Sequence, residues 1–205
     1  MQENKIVLAI DVLRWGGTVA YPTDTVYGLG SNGLDAEAVR GVFRVKGREP
    51  DAPVPLLVAD LPMLLSVIAG ISDIGLQLIQ RYMPGPLTLV LARASHIPDV
   101  VTAGGPTVAV RIPNHPIPRR LATALGGPIV GTSANRSGQP STTSAAQVLS
   151  ELGDVVDCVL DGECWGGKES TMIDLTGASP RMLRKGALPE EELTAFLAGL
   201  KPETR

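Results

Sequence analysis

Aromatic residues make up only 3% of the 205-residue chain. That is too little to stack successive bases of an RNA strand, so a general RNA-coating role is disfavoured. Histidine is limited to His96 and His115, far apart in sequence, which argues against a zinc cluster. Two cysteines, Cys158 and Cys164, provide no disulfide framework, and reduced thiols suit the cytoplasm. Lys5, Asp11 and Arg14 break the first apolar stretch, so no signal peptide is expected, and no later segment is long enough to span a membrane. Long runs of one charge are also missing, and the net charge is −3 from 18 basic and 21 acidic residues. An anionic ligand must therefore be met by local Lys and Arg side chains. There is no internal repeat and no low-complexity linker.

What is present suits one mixed α/β domain over residues 1–205: 44% hydrophobic residues can build a substantial core, and helical and strand patterns alternate without a strict βαβ rhythm. Spacing predicts a helix from a cap at about Asn4 through Leu13, stopping at Gly16-Gly17. A strand at Thr18–Tyr21 follows, then a helix capped by Asp35 with Val39, Val42 and Phe43 on one face, ending at Lys46-Gly47-Arg48. Further helices are expected at Asp60–Ala69, Ser72–Tyr82 and Pro189–Leu200, and at Ser144–Leu152 with a Ser144/Gln147 capping box. Strands are expected at Leu56–Val58, Leu87–Ala92, Val108–Ile112, Ile129–Gly131, Val155–Leu160, Met172–Leu175 and Met182–Arg184.

With 23 Gly and 17 Pro, much of the chain must lie in shaped loops, where sites usually sit. Tyr21-Pro-Thr-Asp-Thr-Val-Tyr-Gly-Leu-Gly30 reads as a binding loop offering Thr23, Asp24, Thr25 and Tyr27. Lys46 and Arg48 place two cations at a helix exit, although a solvated helix end explains them nearly as well. Arg111 sits in an apolar strand and needs an anionic partner, either a substrate or an internal carboxylate. A second hydroxyl-rich loop spans Gly131–Thr143, with Ser133, Asn135, Ser137 and Ser141 as donors, and Ser170-Thr171 and Arg184 complete the set. Two nucleotide motifs fail on context. Gly28-Leu-Gly-Ser-Asn-Gly33 does not lie directly between a strand and a helix. In Gly162–Glu169, which resembles a phosphate loop, Glu169 replaces the metal-binding hydroxyl, leaving a flexible surface loop as the better reading.

In order along the chain, Tyr21–Gly30, Lys46-Gly-Arg48, Pro55-Leu56, Pro84-Gly-Pro-Leu-Thr88, Val108–Pro113, Thr132-Ser-Ala-Asn-Arg-Ser-Gly138, Ser170-Thr171 with Asp174, and Leu183-Arg184 resemble the YrdC/TsaC family of threonylcarbamoyl-AMP synthases. The similarity runs from Thr18 to about Gly186 and is to the short, single-domain form. The family implies a twisted mixed sheet with surrounding helices and a concave, positively charged face. It implies a nucleotidyltransferase that makes threonylcarbamoyl-adenylate and pyrophosphate from L-threonine, bicarbonate and ATP with Mg2+, and no dedicated protein metal site. A transferase complex would then modify adenosine 37 of ANN-decoding tRNAs. Carried over by position, Thr25, Arg111 and Ser170 would meet threonine, with Arg111 forking its carboxylate. Lys46 and Arg48 would be catalytic, and Arg48, Thr107, Ser133, Asn135, Thr143 and Arg184 would bind ATP. As a ligand-facing charge, Arg111 would be removable without cost to the fold. The family's Asn position falls near Val54 and its usual His is absent from the Glu49–Ala59 stretch. Weak tRNA or double-stranded RNA binding by a non-catalytic module, or carbamoyl transfer through carbamoyl-adenylate, are the competing functions.

Overall fold

The computed structural model describes residues 2–199, so Leu200, the expected end of the last helix, lies outside them. Helix α1 (Gln2–Arg14) leads into β1 (Val19–Tyr21) and β2 (Gly28–Gly30), and then α2 (Ala36–Lys46). Next come β3 (Leu56–Leu57), α3 (Leu61–Ser66), α4 (Asp73–Tyr82), β4 (Leu87–Ala92), α5 (Asp99–Thr102), β5 (Thr107–Arg111) and α6 (Pro116–Leu125). The chain continues through β6 (Ile129–Val130), β7 (Thr132–Ser133), α7 (Ala145–Leu152), β8 (Cys158–Val159), β9 (Thr171–Asp174), β10 (Arg181–Arg184) and α8 (Glu190–Gly199). No helix among the described residues is long and apolar enough to cross a membrane.

The strands form two mixed sheets instead of one. The smaller has the order β7-β2-β1-β8 and the larger β10-β9-β4-β5-β3-β6. One apolar cluster, including Leu29, Phe43, Leu56, Leu89 and Val110, joins the larger sheet to the helices around it. A second packs α1 and α6 on the smaller sheet through Leu13, Tyr21, Leu121 and Ile129. The six-residue strand β4 lies between β5, to which it is antiparallel, and β9, to which it is parallel, so the end of β5 and the start of β9 lie at the same edge of the sheet.

Capping residues set most helix starts. Asp35 accepts from the amides of Glu37 and Ala38, Asp60 from Met63 and Ser72 from Gly75, each satisfying donors left unpaired in a first turn. Gly47, at φ 66°, ends α2 in the left-handed region. Several expectations need correction. Helix α1 begins before Asn4, which lies inside it. Helix α3 stops at Ser66 because Ile68 bridges to Arg93. Only Cys158–Val159 of the Val155–Leu160 segment pairs as a strand. The capping box on α7 is half formed: Ser144 Oγ accepts from Gln147 N, but the Gln147 side chain takes the Thr142 hydroxyl. Helices α5 and α6 fall in segments for which no element was expected. The start of α6 is set by His115, whose Nδ1 accepts from Ile117 N at 3.2 Å.

The largest correction concerns Gly28–Gly30. It is a buried strand, antiparallel to β1, instead of the open end of a loop. Its glycines are required because the Tyr21 ring lies over them and the Tyr21 hydroxyl donates to Val130 O at 2.6 Å. A Cβ on Gly30 would stand 2.1 Å from Val130 O, a backbone atom that cannot yield locally. Gly30→Ala is therefore expected to cost about 3 kcal/mol, at the upper end of overpacking, and to lower Tm by roughly 6–12 °C. Gly70→Ala, where an added Cβ meets nothing within 4 Å, is the control. Calorimetric melting that gives equal Tm values for the two variants would refute this account of β2.

Candidate functional site

A cleft of about 310 Å3 opens between the sheets, lined by residues that are widely separated in the chain. It gathers Thr25, Lys46, Arg48, Arg111, Ser133, Asn135, Ser170 and Arg184, eight of the sequence candidates. Two others lie elsewhere. Thr107 starts β5, four residues before Arg111 and so about 13 Å away along the strand. Thr143 is exposed and lines a separate depression with Asp161–Cys164.

Arg111 ends β5 with its side chain almost wholly enclosed. Its Nη2 pairs with Asp24 Oδ1, Nη1 donates to Thr25 Oγ1 at 3.0 Å, and Nε donates to Gly85 O at 2.9 Å. The side chains of Arg111 and Asp24 are each 6% exposed, which settles the open choice of partner: it is an internal carboxylate. Burial pulls the guanidinium below its ordinary value, and the Asp24 charge opposes that shift. One N–H on each Nη remains to offer a second anion. The pair argues against the expectation that Arg111 could be removed at no cost to the fold, because its loss would leave a buried Asp24 without its cation.

Thr25 is equally committed. Thr23 Oγ1 donates to Val26 O at 2.7 Å, so in its 2.9 Å contact with Thr25 Oγ1 the Thr25 hydroxyl must donate. With Arg111 donating to it, Thr25 keeps one lone pair for a ligand. The segment Gly162–Lys168 is at the surface as expected, with Trp165 58% exposed, but it is pinned to the site. Tyr27 donates to Gly162 O at 2.9 Å, and the His115 ring lies 4.7 Å from that of Trp165. A Cβ on Gly166 would meet Asp24 O at 2.9 Å, so only glycine lets this strap lie on the Asp24-Thr25 backbone.

The cations divide by partner. Lys46, buried at the end of α2, donates to Ser133 O at 2.6 Å and Asn135 O at 2.9 Å. Removal from water lowers its pKa to about 8, with the Arg48 charge adding to the shift and Glu169 opposing it. The Arg48 guanidinium lies 5.1 Å from the Phe43 ring centroid, and its buried Nε has no acceptor. Asn135 spends its amide nitrogen on Arg136 O and Gln139 O, at 3.0 and 2.5 Å, which leaves Oδ1 buried and unpartnered. Arg184 donates to Ser170 O, Ser170 Oγ and Glu169 Oε2.

Sequence reasoning missed Glu169, considered only as a fault in a phosphate loop, and Thr88, which bonds Ser170 Oγ at 2.7 Å. It also missed Pro53 and Pro55, which line the cleft while Val54 between them is buried in the core at 1% exposure. The two flanking prolines, and not an Asn side chain, therefore form this wall. Among the described residues no group of three or more His, Cys, Asp and Glu side chains is placed to hold a metal.

A family model covering Sua5, YciO and YrdC proteins, described as "Telomere recombination", matches residues 11–186. A Pyrococcus abyssi (strain GE5 / Orsay) protein named threonylcarbamoyl-AMP synthase is 43% identical over 202 residues, 98% of this chain and 59% of that protein. The crystal structure of P. abyssi Sua5 complexed with L-threonine matches with a TM-score of 0.93 at 42% identity, covering 98% of this chain and 59% of that one. E. coli YciO gives 0.81 at 28% identity, covering 91% and 90%. The chain thus spans less than two thirds of the P. abyssi relative's length.

Two outcomes follow from this geometry. Arg111→Ala is expected to destabilise by about 3–5 kcal/mol by leaving a buried carboxylate unpaired. Arg111→Met with Asp24→Asn should recover part of that loss in urea unfolding, and strict additivity of the two changes would refute the coupling. The second concerns pH. Lys46 is charged below its pKa of about 8 and neutral above it, so pyrophosphate affinity should fall as pH rises from 7 to 9. Lys46→Arg should flatten that fall, and a wild-type affinity that is level across the range by calorimetry would exclude Lys46 as an anion contact.

Proposed function

The chain belongs to the Sua5/YciO/YrdC family, and from that membership we propose that it condenses L-threonine, bicarbonate and ATP into threonylcarbamoyl-adenylate with release of pyrophosphate. The observation that carries the reading is the convergence, in one cleft, of four cationic side chains with hydroxyl and amide groups suited to a small amino acid and a nucleotide. The threonine-bound relative supports the choice of amino acid.

Chemically this is adenylyl transfer. The threonine amine and bicarbonate form a carbamate with loss of water; a carbamate oxygen then attacks the α-phosphorus, the bond to the oxygen bridging to the β-phosphate breaks, and pyrophosphate leaves with that electron pair. Nothing in the step needs a protein nucleophile, so the chain's task is to align the reactants and to offset charge on the phosphoryl oxygens and the leaving group. Lys46, Arg48 and Arg184 are the groups for that charge. Arg111, already fixed by Asp24 and Gly85, offers its remaining N–H groups to the threonine carboxylate from a position that cannot drift. Ser170 and Thr25, which line the cleft, would hydrogen-bond threonine. Ser133 and Asn135 serve the nucleotide, with Asn135 acting as an acceptor.

Magnesium enters as part of the ATP substrate. The cleft carboxylate Glu169 and the adjacent Asp24 are both engaged by arginines, so the ion is expected to be held mainly by phosphate oxygens. The product is a mixed anhydride and an activated acyl donor, which a separate transferase complex would deliver to adenosine 37 of ANN-decoding tRNAs in the cytoplasm.

Pyrophosphate release by the purified protein should require threonine and bicarbonate together, with threonylcarbamoyl-AMP detected by mass spectrometry. Release that is indifferent to threonine would overturn the reading.

A further inference from the structure

Two carboxylates hold arginines of the cleft, and their exposures differ enough to separate their roles. Asp24 and its partner Arg111 are each 6% exposed, whereas Glu169 and Arg184 are 35% and 37% exposed. Freeing Asp24 would leave a dry, unpaired charge. Freeing Glu169 sends a carboxylate into water, and such partly exposed pairs are individually weak. Asp24 is therefore a permanent partner and Glu169 a removable one.

What Glu169 holds makes its removal informative. Its Oε2 accepts from Arg184 Nη1 at 2.6 Å, and its Oε1 accepts from Ser141 Oγ at 2.8 Å. One side chain thus ties β10 to the hydroxyl-rich stretch Gly131–Thr143. The Glu169 backbone cannot follow a displaced side chain. Ala187 N donates to Glu169 O at 2.8 Å, and a Cβ on Gly186 would stand 2.3 Å from that same oxygen. The carboxylate also lines the cleft near Lys46, where a ligand's phosphate would meet it as a like charge.

We propose that Glu169 is a stand-in for the ligand's phosphate: it neutralises Arg184 before ligand arrives and is displaced by a phosphate oxygen, which releases Ser141 and loosens residues 137–143. The inference rests on the reading that the cleft takes the triphosphate of ATP.

Inorganic pyrophosphate, titrated by calorimetry into wild type, Glu169→Gln and Lys46→Ala, is the probe. Glu169→Gln removes the competing charge and should bind roughly five- to tenfold more tightly, while Lys46→Ala should bind more weakly than wild type. A purely structural role for Glu169 predicts the opposite sign for Glu169→Gln. Wild-type binding with no tightening in Glu169→Gln overturns this inference alone. Failure of both proteins to bind pyrophosphate overturns the triphosphate reading and the inference with it. Should Glu169→Gln not fold, Glu169→Asp, with a shorter reach to Arg184, replaces it with the same expected sign. Amide exchange supplies an independent readout. Pyrophosphate should speed exchange at residues 137–143 in wild type and leave an already fast Ser141→Ala unchanged. Slowed exchange in wild type would overturn the release of that segment.

Discussion

The buried Asp24–Arg111 pair is the contact on which the site is built. It joins the β1–β2 connection of the smaller sheet to the last residue of β5 in the larger one. Taking two charges out of water is costly, and the cost is offset only where the remaining donors are also placed. Here Gly85 O and Thr25 Oγ1 complete the arrangement, and Gly85 N in turn donates to Ile112 O at 2.9 Å, fixing the turn before β4 against the end of β5. The Gly162–Lys168 strap lies against the Asp24-Thr25 backbone at Gly166.

From this fixed centre the cleft becomes more adjustable toward its rim. Lys46 is held by two carbonyls and faces no carboxylate at bonding distance among the described residues. Arg48 rests on Phe43 with its buried Nε donor unspent. Arg184 is balanced by a carboxylate that can reach water. The threonine end of the proposed reaction is thus set by the core, and the phosphate end by side chains with unsatisfied or replaceable partners. That division suits a step in which the amino acid must be aligned before a large anionic group departs.

Much of this was legible in the residues. Asp35, Asp60 and Ser72 announce helix starts because each side chain has a local donor to satisfy, and that chemistry does not depend on the rest of the fold. Strand β4 was placed correctly because six apolar or β-branched residues lie between turn signals. Legibility failed where long-range packing decides. Gly28 and Gly30 resemble loop glycines, yet they are in a strand because a tyrosine seven to nine residues earlier covers them. Sequence demanded an anion for Arg111, but only the fold could identify Asp24. Thr107 and Thr143 carry suitable hydroxyls near suitable motifs, and both lie away from the cleft because one stands at the far end of its strand and the other faces out before α7. Glu169 was passed over because its meaning comes from Ser141 and Arg184, neither of which a motif places beside it.

The cleft draws its lining from Thr23 to Arg184, nearly the whole described chain. No short fragment can contain it, and global unfolding destroys it. A ligand seated across Thr25, Lys46, Ser133 and Arg184 therefore acts as a noncovalent staple on the complete fold. Occupancy is converted directly into resistance to proteases, and in a cell the abundance of such a chain would follow the supply of its own substrates.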